Sequence, residues 1–264
     1  MHEAPAVQRA IEGFVRLGYL AKALVYILIG VLALKVAAGV RGGRITDQGG
    51  ALYVVLGQPM GRWLLLLVAT GLLAYSGWQL ARAIYGTPRR AKAVWWKRAL
   101  VAIRALLYGA IGVQAMRLSL GLRGGGSGPE PLVRATLRWP LGEWVILIVG
   151  LGVGWYGLVQ IADAYRGRLE PDLDAATLRR CAGTWALRGA QGGIAARGLL
   201  LAVLGLGLVR AAIKHRASEA GGLDESMVIL NALPQGTLLL GAAAAGVLAY
   251  GIYQLLHARY AQLR

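Results

Sequence analysis

The sequence predicts an all-α integral membrane protein with six transmembrane helices, built as three repeated helical hairpins within one membrane domain over residues 1–264. Three observations carry that expectation. Hydrophobic residues make up 57% of the chain and charged residues only 16%, a balance foreign to most soluble enzymes. The apolar residues gather into windows of about 20, the length that spans a hydrocarbon core. The landmark residues of those windows recur three times in register. Every hairpin then points the same way across the membrane. A pseudo-three-fold bundle is the simplest arrangement, with a linear row of hairpins as its alternative.

In chain order the windows lie near 17–38, 63–84, 99–121, 143–165, 194–213 and 236–258. The segment Met1–Arg16 lacks an apolar core followed by a small-residue cleavage site, so it is not read as a removable signal peptide. Six spans put both termini on one side, and the basic residues choose which. Of the 29 Lys and Arg, 18 fall on the terminal side and 11 on the other, with six acids on each, giving +12 against +5. Both termini are therefore expected in the cytoplasm and the protein in the cell membrane. The connections 39–58, 122–139 and 214–233 are glycine-rich and read as outer loops too polar for hydrocarbon, with room for short interfacial helices. Between the second and third hairpins, acids early and bases late, with Gly183 just beyond, predict a short cytoplasmic surface helix at about 171–182.

The repeats are expected over 11–86, 97–166 and 187–264. Pro59-Met-Gly61-Arg-Trp63 matches Pro140-Leu-Gly142-Glu-Trp144 and Pro234-Gln-Gly236-Thr-Leu238. On the even-numbered spans Gly71, Tyr75 and Gln79 match Gly152, Tyr156 and Gln160, and again Gly246, Tyr250 and Gln254. On the odd-numbered spans Lys22, Tyr26 and Gly30 match Arg104, Tyr108 and Gly112, then Arg197, Leu201 and Gly205. A second basic row, Lys35, Arg117 and Arg210, follows 13 residues later in each copy.

These residues resemble the domain of unknown function 1206 family, whose chains carry three pairs of membrane helices. The resemblance covers nearly the whole chain. It rests on the triplicated two-span pattern, the Arg16–Gly30 run and the Tyr-x-x-x-Gln ends of the even helices. It implies a fold and transfers no activity or catalytic residue. Leu201, standing where the other copies have tyrosine, is the clearest departure.

On a helix, positions four apart share a face, so glycine, tyrosine and a polar end line one stripe of each span. Gly30, Gly71, Gly112, Gly152, Gly205 and Gly246 are expected at helix contacts, where a missing side chain lets backbones approach in lipid. Thirteen residues turn a helix by about 220°, so the two basic rows cannot share a face. The inner row, Lys22, Arg104 and Arg197, is favoured to turn inward. Gln79, Gln160 and Gln254 lie at similar depth, with Tyr26, Tyr108, Tyr75, Tyr156 and Tyr250, a set suited to an anion or lipid phosphate. The alternative is that these cations snorkel to the headgroups and carry no ligand. One turn further on, Arg82, Asp163 and His257 are equivalent. There a structural salt bridge of Asp163 stands against a proton-coupled role of Asp163 and His257.

No enzyme motif, close carboxylate pair or metal-ligand spacing occurs in the sequence. Cys181, the single cysteine, is read as an ordinary thiol. The expectation is thus a protein without catalytic activity, cofactor or metal. Its function class is a structural or accessory membrane protein contacting anionic lipid, a partner membrane protein or its own copies. A small transporter or channel for an anion or small solute is the alternative. Nucleic acid is not an expected partner, because the basic residues flank spans instead of forming one soluble surface.

Overall fold

The computed structural model describes residues 5–85, 95–122, 130–167 and 175–260. Among these residues the secondary structure is helical without strands. In chain order the helices are α1 (Pro5–Ala37), α2 (Gln48–Leu56), α3 (Gly61–Tyr85), α4 (Trp95–Ser119), α5 (Glu130–Thr136), α6 (Gly142–Tyr165), α7 (Ala175–Lys214), α8 (Leu223–Asn231) and α9 (Gly236–Tyr260). Five carry stretches long and apolar enough to cross a membrane: Val15–Ala37, Gly61–Ala81, Gly142–Tyr165, Gly183–Lys214 and Gly236–Arg259. Helix α4 is long enough, but Lys97, Arg98, Arg104 and Arg117 leave it only a short uncharged middle. Of the segment expected as a surface helix, 171–174 lie outside the described residues. The part from Ala175 is helical and runs into α7 across Gly183, whose φ of 83° breaks the helical path.

The membrane reading also appears in what the helices expose. Trp63, Trp139, Trp144, Trp155 and Tyr165 are each more than half exposed, beside many exposed leucines and isoleucines. A soluble protein of this size would bury most of that surface, whereas lipid accepts it and favours Trp and Tyr near the headgroups.

Each hairpin holds a short helix before its even span: α2, α5 and α8. The turn that follows explains the recurrent Pro-x-Gly. A Cβ on Gly61, Gly142 or Gly236 would collide with the carbonyl oxygen of Val55, Thr136 or Asn231 respectively, near the end of that short helix. The glycine is dictated by backbone approach, and the same residue stands there in all three copies.

Two of these short helices, α2 and α8, do not lie where the sequence placed them. After α1 ends, the chain turns back along it: the Arg44 N–H donates to the Leu32 carbonyl at 3.2 Å, and Gln48 Nε2 donates to Tyr26 Oη at 2.7 Å. Tyr26 is eleven residues before Ala37, about 16 Å down the helix. The segment after α7 does the same. Ser226 Oγ on α8 lies 3.3 Å from the Leu200 carbonyl, about 21 Å below the end of α7. Both connections fold back along the helix that precedes them, which corrects the expectation of loops held away from the spans. Polar backbone is tolerated there because protein covers it and supplies its hydrogen bonds; Ala51, Leu52 and Met227 are fully buried.

By its contacts the chain forms two compact units, one of Met1–Leu24, Leu52–Arg123 and Gln254–Arg264, the other of Val25–Ala51 and Gly124–Tyr253. Within the first, α1 and α3 meet at Gly18 and Gly71. A Cβ on Gly71 would come 2.8 Å from the Leu17 carbonyl oxygen, and one on Gly18 equally close to the Gly71 oxygen. Gly112 of α4 packs on Leu73, and Ser76 Oγ donates to the Ala105 carbonyl at 2.6 Å. Within the second, Gly30 packs on the Leu248 backbone and Gly246 on Ala196. Helices α6 and α7 meet backbone to backbone through Gly150, Gly154 and Gly157 against Gly198 and Gly205.

Gly152 needs correction. It is exposed, and a Cβ there would meet nothing within 4 Å. The stripe that packs on α6 runs through 150, 154 and 157, on the other side of the helix. Repeats one and three carry Gly18 and Gly193 opposite their even-helix tyrosines, whereas repeat two has Leu100 in that register, so the close approach is not encoded there. Gly71→Leu and Gly246→Leu are each expected to destabilise the protein by about 1–3 kcal/mol through overpacking. Gly152→Leu should stay within about 0.5 kcal/mol of wild type. Thermal unfolding in detergent reads all three, and equal losses would place Gly152 back in a contact.

Candidate functional site

In the first unit, Lys22 is only 2% exposed. Its Nζ lies 5.3, 4.4 and 4.7 Å from the ring centroids of Tyr19, Tyr75 and Tyr108 and donates to Tyr75 Oη at 3.3 Å. Gln79 Nε2, one turn along α3, donates to the same oxygen at 2.9 Å. Among the described residues no carboxylate pairs with Lys22. A desolvated ammonium against an aromatic face gains up to about 2 kcal/mol, but it remains an uncompensated buried charge. Tyr19 stacks on His257 with centroids 4.2 Å apart, fastening α9 to α1. Gln254, one turn before His257, is fully buried, and neither its Oε1 nor its Nε2 has a hydrogen-bond partner. The Oε1 of Gln79 is likewise unpartnered.

In the second unit the corresponding cation is Arg197. Its Nε donates to Tyr26 Oη at 3.3 Å, its Nη1 to Gln160 Oε1 at 3.2 Å, and its guanidinium lies 4.9 Å from the Tyr250 ring. Gly193 sets this up: α7 approaches the Tyr250 backbone so closely that a Cβ there would collide. With Gln48 also on Tyr26 Oη, a chain of hydrogen bonds joins α2, α1, α7 and α6. In both units the cation meets the even-helix tyrosine of its own repeat and the odd-helix tyrosine of the repeat next in cyclic order.

The structure thus gathers Lys22, Tyr75, Tyr108 and Gln79 in one cluster and Arg197, Tyr26, Tyr250 and Gln160 in another. The side chain of Arg104 lies outside the described residues, as does that of Arg82, and Tyr156 is partly exposed. Lys35, Arg117 and Arg210 are exposed. Asp163 is partly buried. Sequence reasoning missed Tyr19 and Gln48. Tyr19 has no counterpart in the other repeats, and Gln48 sat in a segment read as an outer loop. Gly18 and Gly193 were visible as a repeated pair.

The folded-back segment after α1 carries one more polar group. Asp47 is buried, and its Oδ1 accepts from the Gly50 N–H at 2.7 Å, capping α2. Burial pushes its carboxyl above the usual range and Asp224 nearby adds to this, while the amides of Gly50 and Gly49 pull it back. An acid whose folded pKa is raised contributes most to stability below its unfolded pKa, and loses that contribution as pH rises toward the folded value. Asp47→Asn keeps the capping acceptor and is expected to flatten that decline in thermal stability as pH rises above about 4. Asp47→Ala should cost about 1 kcal/mol through the lost cap. An unchanged pH profile in the Asn variant would mean Asp47 is not the group responsible.

Three segments of the chain, 17–86, 100–167 and 192–261, match the family model described as Domain of Unknown Function (DUF1206). The chain is 29% identical over 255 residues to "Uncharacterized protein YxxB" of Bacillus subtilis (strain 168), covering 95% of this chain and 91% of that protein. No solved structure matches it.

Proposed function

We propose, from the premise that this chain belongs to the domain of unknown function 1206 family, that it is a non-catalytic structural or accessory protein of the cell membrane whose inner basic row holds an anionic group, with anionic phospholipid or a partner membrane protein as its natural contact. The observation that carries this reading is Lys22, buried at 2% exposure without a carboxylate among the described residues. Interior positions accept a cation only when acceptors or a counter-charge accompany it.

The reading takes α4 as a sixth span. Its length of 25 residues reaches across a bilayer, and basic residues toward both ends suit snorkelling. Both termini then lie in the cytoplasm, in keeping with +12 on the terminal side against +5 on the other. Reporter fusions at residue 88 and residue 126 are expected to give opposite signals, cytoplasmic and external respectively. A cytoplasmic signal at 126 would overturn the topology.

The lipid reading is tested by native mass spectrometry of wild type beside the triple variant Lys22→Gln, Arg104→Gln, Arg197→Gln. Wild type should retain anionic phospholipid at detergent concentrations that strip the variant. Equal retention would leave the row without a lipid-holding role.

A further inference from the structure

Quasi-equivalence between the two cation clusters exposes a difference that bears on chemistry. Arg197 of repeat three finds its amide on Gln160 of repeat two. Advancing each repeat by one in cyclic order pairs Lys22 of repeat one with Gln254 of repeat three. Local geometry leads to the same pair independently. Helices α1 and α9 run antiparallel where Tyr19 stacks on His257, so one turn onward along α1 and one turn back along α9 bring Lys22 and Gln254 to the same level. In the Arg197 cluster the corresponding groups bond each other. Around Lys22 they do not: both polar atoms of Gln254 and the Oε1 of Gln79 stand unpartnered and buried.

We infer that Lys22, Gln79 and Gln254 form a binding site for one small, singly charged oxyanion that still carries a hydroxyl proton, of the hydrogencarbonate or dihydrogen phosphate class. This rests on reading the inner row as the place where a negative group is held, and it names which position and which ligand.

The chemistry follows from the inventory of donors and acceptors. Lys22 Nζ and Gln254 Nε2 need acceptors, which oxyanion oxygens supply, and one negative charge compensates the ammonium. Gln254 Oε1 and Gln79 Oε1 need a donor. A halide or a fully deprotonated oxyanion has none, and a phosphodiester has none at its phosphate. A ligand O–H answers that need, one hydroxyl serving one of the two acceptors in hydrogencarbonate and two hydroxyls serving both in dihydrogen phosphate. Tyr19, Tyr75 and Gln254 are each at most 2% exposed, so the ligand group that reaches Lys22 has to be small. Arg197 has acceptors from the protein on two of its nitrogens, so no ion is expected at that position.

The test uses the full chain in neutral detergent with hydrogencarbonate, dihydrogen phosphate and chloride as probes at matched ionic strength, read by thermal unfolding and calorimetry. The melting temperature of wild type should climb with either hydroxylated oxyanion, as ligand linkage requires, and chloride should do much less. Lys22→Gln should weaken binding at least tenfold, while Lys35→Gln, on the exposed outer row, should keep the response. Gln254→Glu is the decisive variant because it builds a counter-charge into the site. Its ion-free melting temperature should rise above wild type, and its response to the oxyanions should vanish. A wild type that responds to none of the probes, or to chloride equally, overturns the inference, as does a Gln254→Glu chain that melts lower and still responds. Row-dependent phospholipid retention without any oxyanion response would sink this inference alone and leave the lipid reading standing.

Discussion

A lysine ammonium enclosed by three tyrosine rings sets conditions that much of the first unit meets. For the cage to close, α3 has to bring Tyr75 against α1. Gly18 and Gly71 permit this, since a side chain at either would strike backbone of the facing helix. For Tyr108 to reach the same ammonium, α4 has to lie against α3, which the Gly112–Leu73 packing and the Ser76 hydrogen bond to the Ala105 carbonyl provide. The third ring is that of Tyr19, stacked on His257. Rings are effective walls here because they are apolar to their neighbours and electron-rich toward the cation, so the charge is softened without a second charge being buried.

In the second unit the equivalent cation is satisfied by different means. Arginine has five N–H donors in a fixed fork, and the fold spends them on Gln160 and on the Tyr26 hydroxyl, which Gln48 also reaches. That last contact ties a folded-back segment to the cation row. Repeat three shows the matched change: Leu201 replaces the tyrosine, and Leu223 stands in the register of Gln48, thirteen residues before the conserved-in-repeat glycine. Where the odd helix offers no hydroxyl, the folded-back helix brings no amide. Repeat two keeps its tyrosine, Tyr108, with Pro129 in that register, so the pairing of hydroxyl and amide belongs to repeat one.

How much of this was legible beforehand depended on whether a residue's environment is built from neighbours along the chain. Spans, repeats and the family were readable because hydropathy and fixed spacing are local properties. The grouping of Lys22 with Tyr75, Tyr108 and Gln79 was partly readable, since i,i+4 spacing places each of them on its stripe. The turn glycines Gly61, Gly142 and Gly236 were seen as landmarks without a role, because their reason is a carbonyl six or five residues earlier folded back onto them. Gly152 misled because the repeat register copies sequence position and not contact. The folded-back course of 38–48 and 215–226 was illegible: a polar, glycine-rich stretch looks like an exposed loop unless one knows that Leu32, Tyr26 and Leu200 wait to receive its hydrogen bonds.

Triplication followed by divergence accounts for why a site arises at one position and not at three. A repeat supplies the same cation, tyrosine and amide each time, and a protein that used all three alike would bury three like charges at one depth, which is unfavourable unless each is compensated. Two remedies are visible. Arg197 is compensated from within by acceptors drawn from α1 and α6. Lys22, a compact ammonium with fewer directed donors than a guanidinium, keeps aromatic walls and leaves its amides unsatisfied. An unsatisfied amide in a stable fold is a cost, and among the described residues the two glutamines beside Lys22 bear it together, while Gln114 bears it singly on α4. The asymmetry between lysine and arginine at equivalent positions is thus the chemical step that separates a structural network from a place where something else must bind.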